Sequence, residues 1–329
     1  MTTSLPIVDM ALLDGDDADR ALFRDRLLEA THSVGFFYLV GHGVSEEAID
    51  DMFAVSREFF ALDDDAKKSV EMVKSPHFRG YTRFGGEYTD GGIDWREQID
   101  IAAEYSPLDG DEDYLILDGP NLWPDRLPGL KTAVRDWQER CGRIGLRLMR
   151  EWATALGASR DAFDEGFADR PSTLIKLVKY PGRAASDKQG VGAHKDPGVL
   201  TLLMVEPGKA GLQVLRDEEW VDAPPVPGAF VVNIGELMEW ATDGYLKATM
   251  HRVVSPPAGD TRLSIPFFFN PALSSTMPHL ELPAALKDEA PGVTQDPANP
   301  ISGTFGENML KARLRAHPDV ARIHHPEMV

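Results

Sequence analysis

The stretch VGAHKDPGVLTLL, residues 191–203, joins two metal-binding side chains to a run of apolar residues. The apolar run predicts a buried strand over Val199–Val205, directly after His194. In an extended segment, residues two apart point to the same side, so His194 and Asp196 can reach one ion while Lys195 points away. A lone H-x-D pair is common in proteins, and a metal site needs at least one further ligand.

A second histidine and an arginine follow this stretch in a specific order. His251 opens the predicted strand His251–Val254, and two imidazoles with one carboxylate form the ligand set of non-haem Fe(II) oxygenases. Arg262 and Ser264 then share one face of an apolar strand, where a guanidinium beside a hydroxyl predicts a carboxylate site. The alternative is a structural ion pair at the strand end, but an unpaired charge beside so apolar a strand would be costly.

Length and composition exclude several classes of protein. The chain has 329 residues, which predicts one large domain or about two smaller ones. Its net charge of −19 repels phosphate, so neither nucleic acid nor an anionic membrane is an expected partner. The single cysteine, Cys141, excludes a disulfide framework and lies on an apolar helical stripe, which predicts burial. The N-terminus lacks a secretory pattern, and the sequence predicts a cytoplasmic protein that is a monomer or a weak homo-oligomer.

Hydrophobic periodicity predicts a mixed α/β chain with a mainly β core. The N-terminal half shows helical patterns around the strand Phe36–Val40, and a long helix is expected over Leu130–Leu156. Beyond residue 170, short β-type runs between Pro and Gly residues indicate a β-sandwich or jelly roll. The predicted segments are an N-terminal region of helices and short strands (1–115), a bridging helix (116–160), the β core (170–280) and a C-terminal extension with a helix (281–329).

These motifs together resemble the isopenicillin N synthase-like branch of the Fe(II)/2-oxoglutarate-dependent dioxygenases. Besides the H-x-D, H and R-x-S series, VGFFYLVGHGV at 34–44 and PGAFVVNIGEL at 227–237 match the family. The resemblance covers nearly the whole chain. It implies a double-stranded β-helix, a jelly roll, with N-terminal helices packed against it and a helix at the C-terminus.

The resemblance also implies a set of cofactors and the residues that hold them. Fe(II), 2-oxoglutarate and O₂ would be used, with ascorbate as a candidate reductant, and a small-molecule substrate would be oxidised with release of succinate and CO₂. The family places the metal ligands at His194, Asp196 and His251, and the 2-oxoglutarate ligands at Arg262, Ser264 and Tyr180. No catalytic residue beyond the metal ligands is expected.

Candidate substrate-binding residues come from strand parity and from one aromatic, Gly-rich segment. Lys176 and Val178 share the side of Tyr180, and Lys176 either pairs with an anionic substrate group or lies at the surface. Phe268 shares the face of Arg262 and either lines the pocket or packs in the core. The segment 79–92 has the composition of a lid, which adds three further candidates, Arg79, Tyr81 and Arg83.

Three other functions remain open on these residues. An iron-dependent oxidase that does not use 2-oxoglutarate would keep the same arginine and serine, and succinate production separates the two enzymes. A non-catalytic sensor of a 2-oxo acid would not need an intact metal triad with open positions. A zinc hydrolase would need a general base beside the metal water, and the sequence shows no H-E-x-x-H motif.

Overall fold

The computed structural model describes residues 5–89, 91–184, 189–293 and 300–329. Its helices, in chain order, are α1 (Asp17–Ser33), α2 (Glu46–Ala61), α3 (Asp64–Ser69), α4 (Gly129–Ala155), α5 (Asp164–Ala168), α6 (Glu236–Ala241), α7 (Ala284–Lys287), α8 (Phe305–Ala316) and α9 (Pro318–His324). Its strands are β1 (Ile7–Asp9), β2 (Phe36–Val40), β3 (Gly80–Thr82), β4 (Tyr88–Thr89), β5 (Gly92–Ile93), β6 (Glu97–Ala102), β7 (Leu174–Pro181), β8 (Gln189–His194), β9 (Leu200–Val205), β10 (Leu212–Arg216), β11 (Glu219–Asp222), β12 (Phe230–Ile234), β13 (His251–Val254) and β14 (Thr261–Phe269).

Two sheets form the core of the molecule. The larger sheet has eight strands in the order β1-β2-β12-β9-β14-β7-β6-β3, and the smaller has four in the order β11-β10-β13-β8. Apolar side chains from both sheets meet in one buried cluster, which includes Val178 and Val205 of the larger sheet and Val191 and Val253 of the smaller. The sheets therefore pack face to face, as burial of their apolar faces requires.

The N-terminal helices cover the outer face of the larger sheet. Ser45 caps α2 by accepting a hydrogen bond from the Ala48 amide, as expected for a helix that begins with two glutamates. Helix α4 contacts α1, α2 and strands β9 and β14, and it buries an apolar stripe that includes Trp137, Leu148 and Trp152. The predicted packing of N-terminal helices against the β core is present.

The larger sheet also draws strands from the predicted N-terminal region. β2 pairs with β12, and β6 pairs with β7, so segments 1–115 and 170–280 share one sheet. The sequence predicts short strands in this region but does not locate β6, because Gln98 and Asp100 are polar although both are buried. The C-terminal extension, where the sequence predicts a helix, has the two consecutive helices α8 and α9, with Pro318 at the start of α9.

No helix in the described ranges combines the length and the apolar character needed to cross a bilayer.

The structure gives Cys141 a packing role that can be measured. Its side chain is fully buried on α4, and burial raises the pKa of the thiol far above its usual value. We expect Cys141→Ala to lower the free energy of unfolding by about 1 kcal/mol through the lost packing, while the turnover that the family resemblance implies is retained. Cys141→Ser should destabilise more, because a buried hydroxyl replaces a thiol. Denaturant unfolding of the three proteins tests this, and a folded Cys141→Ala variant without turnover would contradict it.

Candidate metal centre

Backbone pairing brings the two predicted histidine ligands together. His194 ends β8 and lies directly opposite His251, the first residue of β13, in an antiparallel register. Their ring centroids are 4.2 Å apart. Residues directly opposite in an antiparallel pair point to the same face of the sheet, so both imidazoles reach one point.

Asp196 completes a group of three facing ligand atoms. Its Oδ1 lies 3.6 Å from His194 Nε2 and 3.7 Å from His251 Nε2. The three ligand atoms all lie within 4.8 Å of one another, a spacing at which one ion can bind all three. Lys195 points elsewhere, toward the Glu239 carboxylate at 3.0 Å, as strand alternation predicts.

The remaining polar atoms of the three ligands are held by the protein. His194 Nδ1 lies 2.8 Å from the Gly192 carbonyl oxygen, and His251 Nδ1 lies 3.1 Å from that of Thr249. A carbonyl oxygen only accepts, so each Nδ1 carries the proton and each Nε2 presents its lone pair to the centre. These contacts fix both rings in the tautomer that binds a metal.

Two residues that the sequence analysis did not identify position the Asp196 carboxylate. Its Oδ2 accepts hydrogen bonds from the Thr201 hydroxyl at 2.6 Å and from the Asn233 amide nitrogen at 2.7 Å. Thr201 and Asn233 are direct partners on β9 and β12, so both point into the site. Oδ1 is thereby left to face the imidazoles. Only the strand register, which the sequence does not reveal, identifies this pair.

The electrostatics of Asp196 and His251 match the state that binds a metal. Burial opposes ionisation of Asp196, but His251 and His194 hold the pKa of this carboxyl well below its usual range. Burial, with the neighbouring His194, lowers the pKa of His251 to about 4. An ionised carboxylate beside a neutral imidazole is the combination that divalent metals require. Burial lowers the pKa of His194, but Asp196 raises it above its usual value, so a metal that binds there displaces a proton.

Arg262 supplies a buried cation with open hydrogen-bond donors. It lies opposite Tyr180 in the β14–β7 pair, with its guanidinium carbon 4.9 Å from the tyrosine ring centroid, and Ser264 lies opposite Val178 on the same face. Arg262 is 1% exposed, yet its Nε and Nη1 have no hydrogen-bond partner among the described residues. Burial lowers the pKa of Arg262, so the site favours an anion that compensates the guanidinium charge. This fits the carboxylate of a 2-oxo acid.

The predicted substrate-binding residues fall into two groups. Val178 belongs to the apolar cluster between the sheets, and Phe268 lies opposite Thr201, so both share the face of the metal centre and their substrate contacts stay predictions. Lys176 is 7% exposed, which excludes the alternative of a surface lysine. Its ammonium already pairs with a carboxylate of this chain, Glu87.

Two candidates from the predicted lid make contacts within the protein, and their substrate contacts stay predictions. Arg79 is buried and its guanidinium donates to the backbone carbonyls of Ala103, Leu117 and Gly119. The Tyr81 hydroxyl donates to Glu97 at 2.8 Å. Buried donors need partners, and these contacts tie strand β3 to its surroundings. The aromatic composition of segment 79–92 does not distinguish such contacts from substrate contacts.

Family models match both halves of the chain. The N-terminal model, described as non-haem dioxygenase in morphine synthesis N-terminal, matches residues 5–126. The model of the 2OG-Fe(II) oxygenase superfamily matches residues 171–271, which contain the three candidate metal ligands and Arg262.

Curated relatives and solved structures cover most of the chain. A 2-oxoglutarate-dependent dioxygenase of Dothideomycetidae sp. (strain 11243) is 36% identical, over 96% of this chain and 90% of that protein. A homoarginine-6-hydroxylase of Arabidopsis thaliana is 32% identical, over 88% of this chain and 90% of that protein. Among solved structures, a full-length Neurospora crassa protein in complex with alpha-KG aligns with a TM-score of 0.75 and 25% identity, covering 94% of this chain and 95% of that one. JOX2 in complex with 2OG, Fe and JA aligns with a TM-score of 0.73 and 27% identity, covering 94% and 85%.

The two-sheet core with its histidine–aspartate–histidine centre is thus the jelly roll of a non-haem iron oxygenase, as predicted. The chain belongs to the Fe(II)/2-oxoglutarate-dependent dioxygenase superfamily. It is an oxidoreductase that uses Fe(II) and 2-oxoglutarate, and the predictions of family, enzyme class and these two cofactors are confirmed.

The carboxylate partners of Asp196 yield a test of the metal centre. We expect Thr201→Val and Asn233→Ala each to weaken Fe(II) binding about 10- to 100-fold, because Asp196 loses a hydrogen bond that orients it. The matched control is Thr31→Val, since Thr31 is equally buried but bonds to the Leu27 carbonyl within α1. Anaerobic Fe(II) titration measures the effect. Wild-type affinity in both site variants would show that Asp196 is positioned without them.

Proposed function

We propose that the iron of this oxygenase is held by His194, Asp196 and His251, and that Arg262, Ser264 and Tyr180 hold the distal carboxylate of 2-oxoglutarate. The buried guanidinium of Arg262, with two open donor nitrogens on the face of the metal centre, is the observation that carries the second assignment. Charge-assisted hydrogen bonds to a carboxylate would satisfy both donors. Without such an anion, this buried cation would stay uncompensated, at high free-energy cost.

The chain's own groups prepare the site for the reaction. Bound Fe(II) and 2-oxoglutarate supply the activation of O₂ that oxidises the substrate, with release of succinate and CO₂. Thr201 and Asn233 hold the Asp196 carboxylate in one orientation, and the backbone carbonyls of Gly192 and Thr249 hold the two imidazoles. Apolar side chains between the sheets exclude water around the cosubstrate, which strengthens its contacts with Arg262.

The substrate that fits this proposal is a small, amino-acid-derived or related metabolite that is hydroxylated, desaturated or cyclised. The homoarginine-6-hydroxylase among the relatives supports an amino-acid substrate class. The net charge of −19 disfavours polyanionic substrates and nucleic acid. We also propose a cytoplasmic enzyme that is a monomer or a weak homo-oligomer, with ascorbate as a reductant.

The metal assignment is tested by oxygen-dependent succinate release from 2-oxoglutarate, measured with and without Fe(II). We expect His194→Ala and Asp196→Ala to abolish both stoichiometric Fe(II) binding and turnover, because each removes one of the three protein ligands. His279→Ala is the control, since this histidine is exposed and pairs with Asp243. Retention of iron and turnover by both site variants would contradict the assignment.

The cosubstrate assignment is tested on Arg262. We expect Arg262→Gln to raise the KM for 2-oxoglutarate about 10- to 100-fold through loss of charge-assisted bonds, with Fe(II) affinity unchanged. Arg252→Gln is the matched control, because Arg252 bonds to Gln213 on the next strand and covers the Trp220 ring. An unchanged 2-oxoglutarate requirement in Arg262→Gln would instead favour an oxidase that uses this arginine on its own substrate.

A further inference from the structure

We propose that a buried charged cluster beside the metal centre recognises the substrate, and that it binds a small zwitterion of zero net charge with one cationic amino group and one carboxylate. The charged cluster consists of Glu87, Arg96, Gln98, Asp100, Lys176 and His317. This proposal rests on the proposed function, because it names the substrate class of that same site.

The charged cluster lies on the face of the sheet that holds the cosubstrate residues. Lys176, Val178 and Tyr180 alternate along β7, and Tyr180 lies opposite Arg262. On the other side of β7, Asp100 lies directly opposite Lys176 and Gln98 opposite Val178. Direct partners in an antiparallel pair share a face, so Asp100 and Lys176 point the same way as Arg262.

The members of the cluster form one connected network. Lys176 Nζ lies 2.9 Å from Glu87 Oε1 and 3.4 Å from Asp100 Oδ2. Arg96 Nη2 lies 2.9 Å from Glu87 Oε2, and the Gln98 amide nitrogen donates to Asp100 Oδ1 at 2.7 Å. A ligand that contacts one of these groups therefore changes the electrostatic environment of the others.

The network reaches the metal ligands through Asp94 and Arg96. Arg96 lies 3.1 Å from Asp94, whose Oδ1 accepts from the Gly192 amide, and the Gly192 carbonyl holds the His194 ring. A substrate group bound at Arg96 is thus connected to the His194 ring through Asp94 and Gly192.

The charges of this region cancel. Around the cluster, three buried carboxylates face three cations whose side chains are at most 10% exposed: Glu87, Asp94 and Asp100 against Arg96, Lys176 and Arg313. His317 adds no charge, since burial lowers its pKa to about 4. The loaded centre is balanced too, because Fe(II) and Arg262 offset 2-oxoglutarate and Asp196. A ligand with net charge would leave one charge unpaired in a buried site, whereas a zwitterion would not.

Unsatisfied atoms in the cluster define the hydrogen bonds that the ligand must supply. Within the described ranges, Gln98 Oε1, Arg96 Nε and His317 Nε2 are buried without a hydrogen-bond partner. Gln98 Oε1 is an acceptor that needs a donor, which an ammonium group provides. Arg96 Nε is a donor that needs an acceptor, which a carboxylate provides.

A purely structural role accounts for these observations less well. The cluster does attach α8 to the sheet, since Arg313 pairs with Asp100 at 2.8 Å. Buried structural networks, however, satisfy their own polar atoms, because each unsatisfied one is costly. A cavity of about 140 Å³ is bordered by Thr82, Gly86 and His317, and His317 is the member of the charged cluster that lines it.

The test is anaerobic calorimetry on the Fe(II)- and 2-oxoglutarate-loaded enzyme. The probes are the L-amino acids with uncharged side chains, their deaminated acids, their decarboxylated amines, and L-homoarginine, which carries one additional positive charge. We expect at least one zwitterion to bind about tenfold or more tightly than both of its analogues and than L-homoarginine. The proposal is overturned if no zwitterion binds, or if a singly charged probe binds as tightly. Succinate release without substrate tests the proposed function separately.

Two substitutions distinguish recognition from a structural role. Glu87→Gln gives the cluster one excess positive charge, so the deaminated acid should gain affinity relative to its zwitterion. Arg96→Gln leaves one excess negative charge, so the decarboxylated amine should gain instead. The control is Glu151→Gln, a carboxylate that is 4% exposed and pairs with Arg24 and Arg160, and it should keep the wild-type ratio. The proposal would be refuted if both variants fold and their preferences for the deaminated acid and the decarboxylated amine do not shift in opposite directions. If either variant fails to fold, the affinities of the wild-type enzyme for the same probes decide the question.

Discussion

The antiparallel pairing of β8 with β13 is the constraint on which the metal centre depends. It sets His194 opposite His251, and a shift of one residue would turn one imidazole to the other face of the sheet. Asp196 follows in the connection to the larger sheet, where Thr201 and Asn233 hold its carboxylate. The centre therefore joins both sheets, and its geometry relies on their packing as well as on the ligands.

The parts of the site that could be predicted from sequence are those encoded locally. The H-x-D and R-x-S pairs depend only on strand alternation, and the predicted strands Phe36–Val40 and His251–Val254 have the bounds of β2 and β13. The long helix predicted over Leu130–Leu156 is observed as α4, whose bounds each lie one residue earlier in the chain. The agreement is this close because the apolar stripe of the helix can be recognised in the sequence without knowledge of tertiary contacts.

What could not be predicted depends on register between distant segments. Glu87, Asp100, Lys176 and His317 come from four separate parts of the chain, and no spacing connects them. The polar residues of β6 even conceal the strand, since buried Gln98 and Asp100 interrupt its apolar pattern. Composition alone also does not predict the contacts of Arg79, whose guanidinium donates to backbone carbonyls although its segment has the composition of a lid.

Two kinds of buried charge lie on one face of the larger sheet, and each implies a different ligand charge. Arg262 is a cation with open donors, so an anion must compensate it. The charged cluster is already balanced, so it tolerates only a ligand whose own charges cancel. Along β7, the apolar Val178 separates Lys176 from Tyr180 and thereby keeps the two environments distinct. The net charge of a ligand therefore decides which of the two environments it occupies. The dianion 2-oxoglutarate is favourable beside Arg262 and unfavourable in the charged cluster.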